Sequence, residues 1–465
     1  MIIAISLVIL AFSWLAWFRL DWALVITVAA LPTYLIRFNI FGIPFTLLES
    51  FILVAAAIWV IQDFIPNNQH LFKRDKKRPT DRQPYPYSWE IIVLLCISLI
   101  GVAIAGWPAS ALGIWKAYFF EPILLFILIL NKLSNKKSLS KIVWAMAMSA
   151  GVISLLAIYQ KLTGQFISNP FWAATETRRI TSFFAYPNAV GLYLAPISFI
   201  ILGWSMSLRK NKPTSSLILL AIVIFSWLSI YFAHSEGALV AIAIGLLAIG
   251  LLAGRRSRII TAIIIILTGA SLLSIPTLNN RLIDKLTLQD LSGEIRKQQW
   301  KETGGLLADG RALTGAGLNN YQASVAPYHQ DGIFFNYDNI PNFDAVVWAS
   351  STLQKKYWQP VEIYLYPHNI FLNFWTELGL LGLILFIWII AKALITTWQS
   401  VKSSTEKDSH YIALGVLTAI ITIVVHGLVD VPYFKNDLAA LFWIIVAFSA
   451  INKFNQHQEE LTTQK

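Results

Sequence analysis

The sequence predicts an all-α polytopic membrane protein with 12 or 13 membrane-spanning helices. Of its 465 residues, 56% are hydrophobic and only 13% charged, against about a quarter charged in a soluble domain. Mean hydropathy is +0.61. Apolar segments long enough for a bilayer core of about 30 Å recur along the chain, and Lys and Arg crowd into alternate loops between them. The net charge of +11 would suggest a nucleic-acid partner in a soluble protein; here it follows from the basic loops that set membrane topology, and no nucleic-acid partner is expected.

The N-terminus, MIIAISLVILAFSWLAWF, lacks the basic stretch and small-residue cleavage site of a signal peptide and reads as the first span, 2–18. Spans over 22–36, 45–62, 89–106, 114–130, 142–160, 187–208, 216–233, 237–253 and 259–275 follow, with 369–396, 411–429 and 437–451 closing the chain. The single Cys96 sits mid-span among Leu and Ile and reads as a small buried hydrophobe, offering neither a disulfide nor a metal cluster. Basic residues mark KRDKKR at 73–78, Lys132 with Lys136, Lys137 and Lys141, RKNK at 209–212, GRRSR at 254–258, and Lys402 with Lys407. By the positive-inside rule these loops are cytoplasmic. The segments 161–186, 233–236, 276–368 and 430–436 then share the other side. The chain divides into N-terminal spans (1–275), one large outer loop with short helices (276–368), and C-terminal spans with a tail (369–465).

Two outer segments are informative. The first carries Arg178 and Arg179, where the topology rule discourages arginine. They are either side chains snorkelling at the interface or an anion site, since the guanidinium fork matches phosphate oxygens. Asn188 after Tyr186 and Pro187 is a candidate helix cap. The second, 276–368, is too long for a passive connection. From Ser292, a candidate N-cap, to Leu307 it suits an amphipathic helix with Ile295, Gln299, Glu302 and Leu306 on one stripe and Arg296, Trp300 and Thr303 beside it. GAGLNNY at 315–321 lacks a preceding strand and a GK[ST] ending, so it reads as a tight turn rather than a phosphate loop. The rings crowded into 328–366 suit either sugar stacking or the headgroup layer.

The loop meets a span at YPHNIFLNFWTELGLLG, residues 366–382. Asn369 is a good N-cap. Glu377 lies nine residues beyond His368, half a rotation away and about 13 Å along a helix axis, so the two do not share a face. Next to Gly379 and Gly382, Glu377 is expected to make a structural salt bridge or hydrogen bond. His426 and Asp430 are spaced i, i+4 and read as a local pair, with a supporting role for the site as the alternative; Lys116 and Glu121 read as helix-packing partners.

In order, Arg179 with ITSFF and PN, Arg296 with Trp300, TGAGLNNY, PHN with TELGLLG, and HGLVD at 426–430 resemble the O-antigen ligase and polymerase family over about residues 160–451. The resemblance implies a GT-C-like membrane glycosyltransferase of the bacterial inner membrane with a periplasmic site. It would move a glycan from undecaprenyl diphosphate to a hydroxyl of a glycan or lipid-glycan acceptor, with no metal, cofactor or nucleotide sugar. The matching positions are Arg179 and Arg296 for the lipid-linked diphosphate, with Arg178 the less favoured register, and His368 for the acceptor; Arg178, Asn369 and Tyr321 are the candidate substrate-binding residues. Where many relatives carry arginine in an SRG turn, this chain has His234, Ser235, Glu236 and Gly237.

The chemistry suits these residue types. Breaking the anomeric C–O bond builds charge on a diphosphate, which fixed arginines stabilise. The acceptor hydroxyl loses its proton late in the attack, and an imidazole can accept it near neutral pH. For His368, a base, an acceptor-positioning group and a structural donor all remain open. A small-solute transporter is the alternative class, but transporters show internal repeats and midplane charges, and no convincing repeat is present.

Overall fold

The computed structural model describes residues 2–40, 43–67, 85–274, 279, 283–285, 287–404 and 406–463; the basic run at 73–78 lies outside them. Each of the thirteen expected spans is helical: α1 Ile2–Phe18, α2 Leu20–Ala29, α3 Leu47–Phe64, α4 Ser88–Ile104, α5 Ala109–Lys132, α6 Lys136–Thr163, α7 Asn188–Leu208, α8 Pro213–Phe232, α9 Glu236–Leu252 and α10 Arg255–Ser274, then α12 Ile370–Ser403, α13 Lys407–Gly427 and α14 Asn436–Thr463. Helix α11, Leu291–Leu306, belongs to the long loop. Among the described residues, seven helices (α3, α5 to α8, α12 and α13) are long and apolar enough to cross a membrane, and five more apolar stretches run 10–17 residues. The chain is an all-α polytopic membrane protein. Its only sheet, among the described residues, is two short hairpins, β1 (Arg37–Ile40) with β2 (Ile43–Thr46) and β3 (Gly332–Phe334) with β4 (Trp358–Pro360).

Local chemistry sets the helix ends. Thr46 and Glu49 form a reciprocal capping box at the start of α3, satisfying two free N–H groups at once. Asn135 caps α6, which stops at Gly164 with φ 73°, a left-handed angle that glycine adopts without steric cost. In the interior, α7 and α13 approach so closely that a Cβ on Gly203 would stand 2.5 Å from the Tyr411 carbonyl oxygen, and the small residues allow backbone contact where lipid supplies little driving force. Beside them, the rings of Phe374 and Phe386 stack at 3.7 Å, with Tyr433 against both.

The long loop is a folded unit. On α11, Gln299, Glu302 and Leu306 of the expected stripe are buried, with Thr303 beside them, while Ile295 is half-buried. Glu302 accepts hydrogen bonds from the Gln330 N–H and the Gln298 side chain and faces His329 Nδ1 at 3.2 Å. The cap is Asp290 rather than Ser292: its carboxylate accepts from the Gly293 N–H and places a negative charge at the positive helix end. The glycine-rich stretch is a turn wedged between α4 and α12. Ala316 N–H donates to Thr376, Leu318 N–H to Gly101, and Asn319 N–H to the Glu377 carboxylate. Gly317 has φ 88°, and a Cβ there would lie 2.6 Å from the Ala105 nitrogen. Glu377 therefore makes the structural hydrogen bond expected of it.

Two further expectations change. Lys116 pairs with Glu49 of α3 rather than with Glu121, because a shared helix side does not outweigh a carboxylate presented by the neighbouring helix. Cys96 is exposed, on the same side of α4 as exposed Ile92 and Ile100, since an i±4 stripe of a span can face lipid as readily as core.

Candidate active site

Four separate segments meet at one end of the bundle: the stretch before α7, the α8–α9 turn, the entry to α12, and the turn after α13. Arg179 ties the first two together. Its Nε donates to the Ala233 carbonyl at 3.0 Å, and its Nη2 donates to the Asn188 side-chain oxygen at 3.2 Å and to the His234 carbonyl at 3.4 Å. Nη1 has no hydrogen-bond partner among the described residues. Asn188 carries the chain onward, its Nδ2 donating to Asp430 Oδ2 at 3.3 Å. Asp430 Oδ1 accepts the Val431 N–H at 2.8 Å and faces His368 Nδ1 at 3.6 Å. Arg179, Asn188, Asp430 and His368 thus form one polar line.

The electrostatics favour a charged carboxylate in this line. Burial acts to raise the Asp430 pKa, but the facing His368 ring, the nearby His426 and the Val431 N–H outweigh it and hold the value at about 2. At 3.6 Å the carboxylate faces Nδ1 without a hydrogen bond, and an ionised carboxylate on that side of an imidazole favours the tautomer whose Nε2 is free to accept a proton. The rings of Tyr364 and Tyr366 stand edge-on to His368 at 5.1 and 5.6 Å. Tyr366 also shares a hydroxyl contact of 3.1 Å with Tyr186, and burial pushes both phenols up, keeping them protonated.

His368 itself has φ 43°, a left-handed conformation uncommon in residues other than glycine. What holds it is on either side. Asn369 caps α12 through its oxygen and donates Nδ2 to the Leu428 carbonyl at 3.0 Å. Trp300 Nε1 donates to the Pro367 carbonyl at 2.8 Å. That second bond docks α11 beside the imidazole and brings Arg296 with it. Arg296 is half-buried and makes no hydrogen bond or ion pair with a described residue, yet its charge is felt at Tyr364.

The structure does not bring every candidate together. Arg178 uses Nε, Nη1 and Nη2 on Ala173, Lys161 and Thr175, so its fork is turned into its own loop. Tyr321 is 2% exposed and bonds Thr303 at 2.9 Å in the small core of the long loop. His426 does not pair with Asp430 as the i, i+4 spacing suggests: α13 ends at Gly427, and the turn beyond swings Asp430 toward His368. Asn188 is not a cap, since α7 follows Pro187 with no side-chain cap bond; its amide joins Arg179 to Asp430. Lys435 escapes sequence reasoning altogether. It is buried, 3.4 Å from Asp437, with the rings of Phe184 and Tyr34 at 4.3 and 5.1 Å, and no motif marks it. Among the described residues, no three His, Cys, Asp or Glu side chains are grouped to hold a metal ion.

Residues 221–387 match a family model described as O-antigen ligase. The matched stretch contains Arg296 and His368; Arg179, Asn188 and Asp430 lie outside it. No curated protein matches the chain.

Proposed function

From the match of residues 221–387 to the O-antigen ligase family model and the helical membrane fold, we propose that this protein belongs to that family and transfers a glycan from undecaprenyl diphosphate to an acceptor hydroxyl at the periplasmic end of the bundle. The observation that carries the reading is the polar line from Arg179 through Asn188 and Asp430 to His368, with Arg296 docked beside it by the Trp300 bond to Pro367.

The geometry supports the following roles. The acceptor oxygen attacks the anomeric carbon, the bond from that carbon to the diphosphate breaks, and the acceptor proton passes to His368 Nε2 while undecaprenyl diphosphate leaves. Asp430 orients the ring through Nδ1 and stabilises the imidazolium that forms. Arg296 and the free Nη1 of Arg179 meet the charge developing on the leaving group. Basic loops at the opposite end, with Lys132 on Asp63 and Lys141 on Asp21, support a cytoplasmic placement for that end.

Two outcomes test the mechanism here. Asp430→Asn keeps the side-chain shape and is expected to lower turnover by about two orders of magnitude or more, with a smaller change in donor KM; a turnover equal to wild type would remove Asp430 from the mechanism. Transfer is also expected to proceed at full rate in excess EDTA, and activity lost to EDTA and restored by Mg²⁺ would overturn the reading of two arginines as the leaving-group cations. The lipid-linked glycans of a deletion strain decide the acceptor: full-length polymer retained on the carrier indicates a ligase, and a single repeat unit a polymerase. Unchanged glycans with lost solute uptake would instead favour a transporter.

A further inference from the structure

Resting on the lipid-diphosphate reading above, we infer that Lys161 and His234 complete, with Arg179, an anion subsite that takes phosphate oxygens of the donor. The three side chains come from separate segments that the backbone knits together. Ile180 N–H donates to the Phe232 carbonyl at 3.3 Å, and the carbonyls of Ala233 and His234 hold the Arg179 guanidinium. Lys161, in the last turn of α6, donates Nζ to the Arg178 carbonyl at 3.3 Å and stands 5.6 Å from the Phe232 ring centroid. His234 has φ 53°, so its carbonyl turns in to Arg179 while its ring is exposed and stacks on Tyr231 at 6.4 Å.

These cations have no carboxylate of their own. Among the described residues, neither Lys161 nor Arg179 makes an ion pair with Asp or Glu. Glu236, on the same turn as His234, is engaged by Lys285 at 2.6 and 2.8 Å, and Lys285 also takes Asp290 at 2.9 Å. Glu236 acts on Arg179 through space but is shared with Lys285, so the cluster keeps an excess of positive charge that an anion would offset. The charged groups that face His234 are Lys161 from α6, Arg179 from the stretch before α7, and Glu236 from its own turn. Burial first, then Lys161 and Arg179, lower the His234 pKa, and only Glu236 opposes them. An anion that neutralises the two cations removes their part of this lowering, leaving burial, and adds its own attraction for a protonated ring, so binding favours a proton at His234 and strengthens as pH falls.

The test uses the full chain in nanodiscs of phosphatidylcholine, with inorganic pyrophosphate as probe and the lipid-diphosphate glycan as substrate. Wild type, His234→Gln, Lys161→Gln and Lys161→Arg are compared at pH 6 and pH 8. Lys161→Gln is expected to weaken pyrophosphate binding and raise donor KM about tenfold, the loss of one charge-assisted hydrogen bond, while Lys161→Arg retains both. Relative to His234→Gln, the wild type should gain affinity on going from pH 8 to pH 6. Equal pyrophosphate affinities and equal donor KM across the four proteins would overturn the subsite while leaving the transferase reading intact. Weakened pyrophosphate binding in a protein whose wild type transfers no glycan would keep the subsite and remove the reading. Differences that appear only in discs containing phosphatidylglycerol would assign the cluster to a lipid headgroup and overturn its assignment to the donor.

Discussion

His368→Asn is expected to lower glycan transfer by about a hundred- to ten-thousand-fold, the range associated with loss of a positioned general base. Asparagine is the informative replacement, because position 368 has φ 43° and asparagine tolerates the left-handed region better than most residues. The variant should therefore fold like the wild type, with the same size-exclusion profile and melting midpoint in detergent. Donor KM should move little, since the diphosphate contacts lie with the arginines. An acceptor-positioning role predicts something else: a rise in acceptor KM that saturating acceptor overcomes. Wild-type turnover in a folded His368→Asn protein would end the assignment of His368 altogether.

Arg296→Ala carries the second large effect, a loss of about a hundred- to a thousandfold in turnover, as for removal of one preorganised group that stabilises transition-state charge. The prediction is clean because Arg296 has no hydrogen bond or ion pair to a described residue, so the fold does not depend on its charge. Arg296→Lys should restore part of the rate, since a point charge replaces a bidentate fork. The same change at Arg179 is less diagnostic. Arg179 holds the Ala233 and His234 carbonyls and the Asn188 amide, and its loss would disturb three segments as well as the leaving group. Unaltered turnover in Arg296→Ala would leave the leaving-group charge to Arg179 and its neighbours.

Much of the architecture was legible because the membrane imposes simple rules. A segment that must satisfy its own backbone groups in lipid becomes a helix, and all thirteen apolar segments are helical. Caps could be read where a short polar side chain stands just before an apolar run, as at Asn369. The same rule misled at Asn188 and Ser292. A cap side chain has competing partners: Asn188 bonds Arg179 and Asp430, and Asp290, with a full charge two residues earlier, displaces Ser292.

From sequence alone follow the helical membrane class and the loops that gather polar residues, because hydropathy is a local property of the chain; Arg179, Arg296 and His368 are singled out through the resemblance of their motifs to a known family. Which groups face each other is not local. Helical spacing places Asp430 with His426, yet α13 ends between them and Asp430 lies 3.6 Å from His368. Glu377 finds its partner in a turn N–H 58 residues away, through glycines that permit α4, α12 and that turn to touch. Only packing of separate helices decides such pairings, since they depend on the directions in which each segment leaves the bundle.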